Sequence, residues 1–159
     1  MSYHNTKIVL PPQTLHTIPP STSNPYGQYD LVIISPNRES NWPKNGLTGH
    51  SVAQLQMIFR FPRSDTFFTY VHHFNIVSHF NSTNVDPATG MHMLKQAARG
   101  NGQCIGEVIP HIRSPAHIIP IFGHEAHAGL TNLSSSELSN EFWLNKYWLK
   151  EFYYTLSPS

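Results

Sequence analysis

The sequence predicts a mainly β protein, an antiparallel small barrel or sandwich of about six to seven strands with one short helix near the C-terminus. Short β-branched or aromatic runs recur along the chain, and turn-forming residues separate them. The run from Val52 to Phe61 also alternates between apolar and polar residues over most of its length. Together these patterns favour consecutive antiparallel hairpins with little helix.

The first two predicted strands differ in the spacing of their apolar residues. Tyr29–Ser35 is a short β-branched run followed by Pro36, which is typical of a buried strand. Val52–Phe61 has period two, with Ile58 as the exception, and this predicts a half-buried strand. Its predicted apolar face contains Ala53, Leu55, Met57, Phe59 and Phe61.

Pro62 is well placed to open a turn after this strand, and Thr66–Phe80 then predicts a long strand that forms a hairpin with the previous one. Its residues Phe68, Tyr70, His72, Phe74 and Ile76 share a face. Histidines 72 and 73 are adjacent on this strand, so they point to opposite faces and do not chelate one ion together.

Two further strands are predicted at Met91–Arg99 and Cys104–Ile109, because the Asn101-Gly102 pair between them is a strong hairpin signal. Ala116–Phe122 predicts one more strand. Pro120 within it indicates an edge strand or a bulge, since proline donates no hydrogen bond to a neighbouring strand.

The C-terminal segment combines a helix signal with an ambiguous aromatic run. Ser134 and Glu137 fit a capping box, which predicts a short helix near Ser135–Glu141. Beyond it, residues 142–156 fit neither the helical nor the strand period, so helix and strand stay open alternatives. We expect the aromatic residues of this run to close one end of the barrel, and Trp42 to cap an end of it.

The composition of the chain indicates its domain organisation and its cellular location. Residues 1–28 are rich in Pro, Ser and Thr and predict an extended N-terminal arm, followed by a single β-rich domain over residues 29–157. One cysteine, Cys104, excludes an intrachain disulfide and multi-cysteine metal sites. With no signal peptide and no long apolar segment, we expect an intracellular protein without membrane contact, and the nucleus is one candidate location.

The sequence Phe122–Leu130, FGHEAHAGL, is a candidate metal site. His124, Glu125 and His127, together with His117 upstream, supply ligand types that zinc accepts. A zincin motif requires two histidines four residues apart on a helix, whereas here they are three apart between glycines. The more conservative interpretation is a solvent-exposed loop after a strand.

Catalytic signals are weak elsewhere in the chain. Cys104 follows a predicted turn without a basic neighbour in sequence, and the serines lack a nucleophile-elbow motif. The segment GNGQCIG lacks the Lys-Ser/Thr ending of a phosphate-binding loop. The sequence therefore predicts no enzyme and no cofactor.

Nucleic-acid binding is a second candidate function. Basic residues lie throughout the predicted β region, and Phe67 or Tyr70 supplies an aromatic ring for stacking, a combination that single-strand binders use. Against it, ten Lys and Arg nearly balance nine Asp and Glu. The candidate nucleic-acid-binding residues are Arg60, Arg63, Tyr70, Lys95, Arg99 and Arg113.

Four stretches together resemble one family. In order they are SNWPKNGLTGHSVAQLQMIFRF, DPATGMHML, GEVIPHIRSPAHIIPIFG and LSNEFWLNKYWLKEFYYTLS. They are similar to the carboxy-terminal region of fungal transposon-encoded proteins of the Plavaka and Kyakuja-Dileera-Zisupton type. The resemblance implies that a DDE nuclease core lies upstream in such proteins and that this chain is a free-standing or truncated carboxy-terminal module, without a catalytic signature of its own.

Three hypotheses follow from the sequence. The first is a non-catalytic interaction module of a transposase-like protein, whose partner is the remainder of such a protein. The second is an accessory domain that binds DNA or RNA. The third is a histidine metal site with hydrolytic activity.

Overall fold

The computed structural model describes residues 12–35, 47–77, 84–109, 111–123, 127–131 and 134–156. These residues form ten strands and two short helices, which run in the order β1 (Thr17–Ile18), β2 (Gln28–Tyr29), β3 (Leu31–Ile34), β4 (Ser51–Arg60), β5 (Phe67–Ile76), β6 (His92–Gln96), β7 (Gly106–Ile109), β8 (Ile112–Ala116), β9 (Ile118–Ile121), α1 (Ser135–Leu138), β10 (Glu141–Leu144) and α2 (Lys150–Leu156).

The main sheet is antiparallel and nearly closes on itself. Its strands follow the order β8-β3-β4-β5-β6-β10-β9, and β7 pairs with β5 beside this path. Only His117 separates β8 from β9, so the two ends of the path belong to one bent strand. The architecture is therefore a nearly closed barrel of seven strands with a short C-terminal helix, which confirms the predicted fold class.

The bent strand closes the barrel by changing partners at His117. Ala116 is opposite Leu31 of β3, whereas Ile118 is opposite Leu144 of β10. The N–H of Asn145 donates to the carbonyl of His117 at 2.9 Å, which continues the pairing with β10. Among the described residues β9 pairs on one edge only, so of the two alternatives that Pro120 predicted, an edge strand or a bulge, the structure has the edge strand.

Two apolar clusters lie on opposite faces of the sheet. The cluster inside the barrel contains Ile33, Val52, Phe74, Leu94, Ala116, Ile118, Phe142 and Leu144, with Phe152 and Leu156 from α2. The cluster outside it contains Val32, Ile34, Ala53, Leu55, Val71 and Ile109, with Leu15 packed against it. Because β3 contributes to both clusters, it is apolar along its whole length.

The two faces of β4 differ from the prediction because a β-bulge interrupts its register. Leu55 is opposite Val71, but Met57 is opposite Tyr70, so Gln56 is the additional residue. The alternation of side chains therefore reverses at the bulge, so Ala53 and Leu55 point to one face of the sheet and Met57 and Phe59 to the other. The predicted common face for Ala53, Leu55 and Met57 is wrong for this reason.

Asn101-Gly102 closes a hairpin turn, in which the N–H of Arg99 donates to the carbonyl of Gln103 at 2.8 Å, but strands β6 and β7 do not pair with each other. Both strands pair with β5, and the segment 97–105 leaves the sheet between them and returns to it. The N–H of Ile105 donates to the carbonyl of Ala97 at 2.9 Å where the segment closes. The Asn-Gly turn lies inside this excursion, where an isolated bridge joins Ala98 and Cys104.

The C-terminal segment contains both of the structures that its sequence left open. β10 occupies Glu141–Leu144 and α2 occupies Lys150–Leu156. The predicted capping box before α1 is wrong: the Ser134 hydroxyl makes no capping bond and instead donates to the carbonyl of Gly129 at 3.1 Å. From α2, Phe152 and Leu156 pack into the barrel cluster.

The described part of the N-terminal arm packs on the barrel. β1 and β2 form a two-stranded sheet, and the N–H of Asp30 donates to the carbonyl of His16 at 3.1 Å. Residues 1–11 of the predicted arm, Trp42 and residues 78–80 of the predicted third strand lie outside the described residues. None of the described helices is long and apolar enough to cross a membrane.

The barrel interior gives a test of the fold. Leu94 is fully buried, so we expect Leu94→Ala to lower the free energy of unfolding by about 2–5 kcal/mol through lost apolar burial and a cavity. The matched control is Leu138→Ala, because Leu138 is 36% exposed and its truncation should cost less than about 1 kcal/mol. Urea unfolding measures both, and equal losses would contradict this location of the core.

Candidate interaction surface

One hairpin extends beyond the barrel wall. β3 pairs with β4 only over Ser51–Gln54, and β6 pairs with β5 only over Phe74–Ile76. Beyond these residues β4 and β5 continue to pair with each other up to Arg60 and Phe67, and β7 covers part of the free edge of β5. The end of this hairpin therefore lies outside the barrel and offers two faces.

The bulge directs a group of apolar side chains to one exposed face. Met57 is 56% exposed, Phe61 55%, Val108 50% and Tyr70 37%. The rings of Phe59, Phe61 and Phe68 contact one another, with centroids 5.4 to 6.0 Å apart. We call this surface the hairpin face and define it by Met57, Phe59, Phe61, Phe68, Tyr70 and Val108.

The neighbouring strand fixes the position of Tyr70 within the hairpin face. Tyr70 is opposite Val108, and its ring lies across Gly106, where a side chain would collide with the phenol. The ring also makes an edge contact with His72, at 5.6 Å between centroids. Burial and the neighbouring His73 lower the pKa of His72, so its imidazole is neutral at the base of this surface at neutral pH.

The opposite face of the hairpin carries a cation on an aromatic ring. The guanidinium of Arg60 lies 5.6 Å from the ring centroid of Phe67, which is 60% exposed. Closer to the barrel, the hydroxyl of Thr69 donates to the carbonyl of Ile109 at 3.0 Å and ties β5 to β7.

The hairpin turn presents two opposite charges. Arg63 has a positive φ of 64°, and the N–H of Ser64 donates to the carbonyl of Phe61 at 3.1 Å. Arg63 and Asp65 are both exposed. Neither of them forms an ion pair with any residue that the structure describes.

The structure brings together three of the six predicted nucleic-acid-binding residues. Arg60, Arg63 and Tyr70 belong to the β4–β5 hairpin, whereas Lys95, Arg99 and Arg113 lie on β6, the 97–105 segment and β8. Sequence reasoning named Tyr70 but missed the exposure of Met57 and Phe61, because it placed both on the apolar face of a half-buried strand. Ile58, which breaks the alternation of β4, was the available signal of the bulge.

The predicted metal ligands are only partly described. His124 and Glu125 lie outside the described residues. The ring of His117 stacks on Trp148 at 5.9 Å, and its Nδ1 is 3.2 Å from the side-chain nitrogen of Asn145. Nδ1 of His127 accepts a hydrogen bond from the N–H of Gly129 at 3.0 Å. Within the described ranges, no three His, Cys, Asp or Glu residues are placed to hold a metal ion.

A second surface feature lies where the barrel closes. A groove of about 680 Å³ separates the N-terminal arm from β9, and Tyr29, Asp30, His117 and Trp148 contribute to its lining. Asp30 is held by His16, whose N–H donates to the carboxylate at 2.7 Å. The groove therefore has an acidic group and aromatic walls, but its acid already has a partner.

A buried cation lies beside the C-terminal tyrosines. Lys146 is only 6% exposed, and its Nζ is 5.3 Å from the ring centroids of both Tyr147 and Tyr153. Burial, and secondarily the charge of Lys146, lower the pKa of His92. Nδ1 of His92 is buried and accepts no hydrogen bond from the described residues.

The fold and this surface define a small β-barrel protein with an exposed aromatic hairpin. A family model described as "Domain of unknown function (DUF6830)" matches residues 1–94. Since this match covers more than half of the chain, the protein belongs to the DUF6830 family. No curated protein and no solved structure matches the chain.

The lowered pKa of His92 predicts acid sensitivity. Above the ordinary pKa of histidine, this imidazole is neutral in both the folded and the unfolded state, so its lowered pKa does not change the free energy of unfolding. As pH falls through about 6.5, the unfolded state takes up the proton first, so the free energy of unfolding decreases. We expect His92→Gln to lose less stability than the wild type between neutral and acidic pH.

Chemical denaturation at a series of pH values measures this dependence. The matched control is His127→Gln, which replaces an exposed imidazole and should keep the wild-type loss. A His92→Gln protein with the full wild-type decrease would contradict the assignment.

Proposed function

We propose that this protein is a non-catalytic interaction module of a fungal transposase-like protein and that it binds its partner through the hairpin face. The observation that carries the proposal is the exposure of Met57, Phe61 and Val108, each at least half accessible, on a surface that also contains Phe59, Phe68 and Tyr70.

The composition of the hairpin face is typical of a protein-binding site. The centre of protein interfaces is enriched in aromatic residues and Met and depleted of charge. Clustered apolar side chains on the surface of a folded domain generally mark a contact site, whereas single exposed apolar residues are ordinary. Here the side chains cluster on one hairpin, whose base pairs with β7 and with the barrel strands.

The resemblance of the four sequence stretches to transposon-encoded proteins supports the wider context. The resemblance implies a module that accompanies a nuclease core in such proteins, and we propose an intracellular setting, with the nucleus as a candidate compartment. A genomic reading frame that continues upstream into a DDE nuclease core would support this origin, and a frame preceded by unrelated coding sequence would argue against it.

Photo-crosslinking tests the use of the hairpin face. A photo-reactive phenylalanine analogue in place of Phe61 should give protein adducts in cells that express the chain naturally, because the ring is 55% exposed within the hairpin face. The control position is Tyr154, which is 68% exposed on α2, far along the chain from the hairpin. Equal adduct yields at both positions, measured by mass spectrometry, would refute the proposal.

Single-stranded nucleic acid is a second candidate ligand, favoured by the position of Arg60 over Phe67 beside Arg63. A guanidinium and aromatic rings on one hairpin supply a phosphate contact and a stacking platform. The alternative is weaker because the formal net charge is only +1 and Asp65 lies in the same turn.

The salt dependence of oligonucleotide binding tests this second candidate. If Arg60 and Arg63 each contact a phosphate, Arg60→Gln with Arg63→Gln should weaken binding and reduce the slope of log K against log salt by about 1.4. The control Lys95→Gln with Arg99→Gln removes the same charge elsewhere and should keep the slope. Fluorescence anisotropy with an oligonucleotide of about 16 nucleotides measures the affinity and its salt dependence for both double variants. Absence of binding at low salt would rule out nucleic acid as a ligand.

A further inference from the structure

We propose that Lys146 and His92 bind an oxyanion, a phosphate or a carboxylate group, where β10 and β6 meet the C-terminal tyrosines. This site is separate from the hairpin face, so the inference goes beyond the proposed function and does not depend on it. Three features of this end of the barrel favour an anion: a buried ammonium without an acceptor, a buried imidazole nitrogen without a partner, and solvent-exposed rings beside the ammonium.

Lys146 is a buried cation without an ordinary hydrogen-bond acceptor. It is only 6% exposed, and it forms neither an ion pair nor a hydrogen bond with any residue that the structure describes. The rings of Tyr147 and Tyr153, each at 5.3 Å from Nζ, attract the charge. An ammonium has three N–H donors, however, so two ring faces leave at least one of them without an acceptor. An oxyanion at Nζ supplies both the acceptor and the opposite charge that a buried cation requires.

The imidazole of His92 provides a second donor from the neighbouring strand. His92 is opposite Leu144, and Lys146 follows Leu144 by two residues, so the lysine and the histidine are neighbours at this end of the sheet. Burial, and secondarily the charge of Lys146, lower the pKa of His92, which keeps the ring neutral at neutral pH. Its Nδ1 is buried and has no hydrogen-bond partner. In the tautomer that carries the proton on Nδ1, this atom donates to the same oxyanion.

Gly90 allows the ammonium to lie against the loop before β6. The glycine has a positive φ of 66°, and a Cβ there would be 2.6 Å from Nζ of Lys146. The hydroxyl of Tyr147 donates to the carbonyl of Thr89 at 3.2 Å and ties the same loop to the residue after the lysine. Tyr147 is 59% exposed and Tyr153 is 39% exposed, so the rings that flank the ammonium face solvent. A small anion therefore reaches Nζ past the edges of these rings.

Nuclear magnetic resonance of the full chain tests the site, with inorganic phosphate and acetate as separate probes at constant pH and ionic strength. Each probe is titrated up to about 50 mM, a range that covers weak binding of a small anion. The imidazole resonances of His92 should shift and saturate, and the bound negative charge should raise the pKa of His92. The exposed imidazole of His127 is the internal reference, and its resonances should show no saturation.

A lysine variant provides the second arm of the experiment. Lys146→Met keeps an unbranched apolar side chain beside the tyrosines and removes the ammonium, so it should weaken anion binding at least about tenfold. Without any added anion, the same variant should raise the pKa of His92, because the charge that lowers it is gone. The matched control Lys95→Gln removes an exposed charge from the other face of β6 and should keep the affinity within about twofold.

The two probes distinguish the chemistry of the ligand. Saturation by phosphate alone identifies a phosphate group, saturation by acetate alone identifies a carboxylate, and saturation by both supports an oxyanion site that accepts either. The proposal is overturned if neither probe gives a saturable shift at His92, or if a folded Lys146→Met protein binds as tightly as the wild type. If that variant does not fold, the wild-type titration with His127 as the reference decides alone.

Discussion

The barrel depends on one bent strand that pairs on both of its edges in succession. β8 bonds to β3, and after His117 the same strand continues as β9 and bonds to β10. Because the chain changes partners at one residue, the first and last parts of the sheet are joined without a further strand. Pro115 and Pro120 lie on either side of the bend. Proline is accommodated at both positions because a bent or edge strand requires fewer backbone N–H donors. The interior cluster, the groove beside His117 and the position of α2 all follow from this closure.

A single extra residue determines the exposed surface. Gln56 shifts the register of β4, so Ala53 and Leu55 pack in the outer cluster, whereas Met57 and Phe59 point to the other face. Without the bulge, the side chains of Met57 and Phe59 would point to the same face of the sheet as Leu55. The same two strands therefore provide buried core residues near the barrel and an exposed aromatic surface beyond it.

Most strands were predictable because their apolar spacing is local. β3, β4, β5 and β9 lie where β-branched runs and alternation indicated them, and the edge position of β9 follows from Pro120. The Asn101-Gly102 pair correctly marked a hairpin turn, but a turn signal does not specify the partners of the strands that flank it. Here both flanking strands find β5 instead, since β5 is long enough to pair with β6 and β7 in turn.

The sequence by itself determined the β class, the approximate strand positions and the list of residues with binding chemistry, because each depends on spacing within about ten residues. Only the tertiary structure decided which of those residues meet. It placed Arg60, Arg63 and Tyr70 on one hairpin and Lys95, Arg99 and Arg113 elsewhere. It also put His117 against Trp148 at the strand bend. The physical reason is that pairing register and the bulge at Gln56 depend on contacts between distant strands, and a shift of one residue reverses the face that every later side chain occupies.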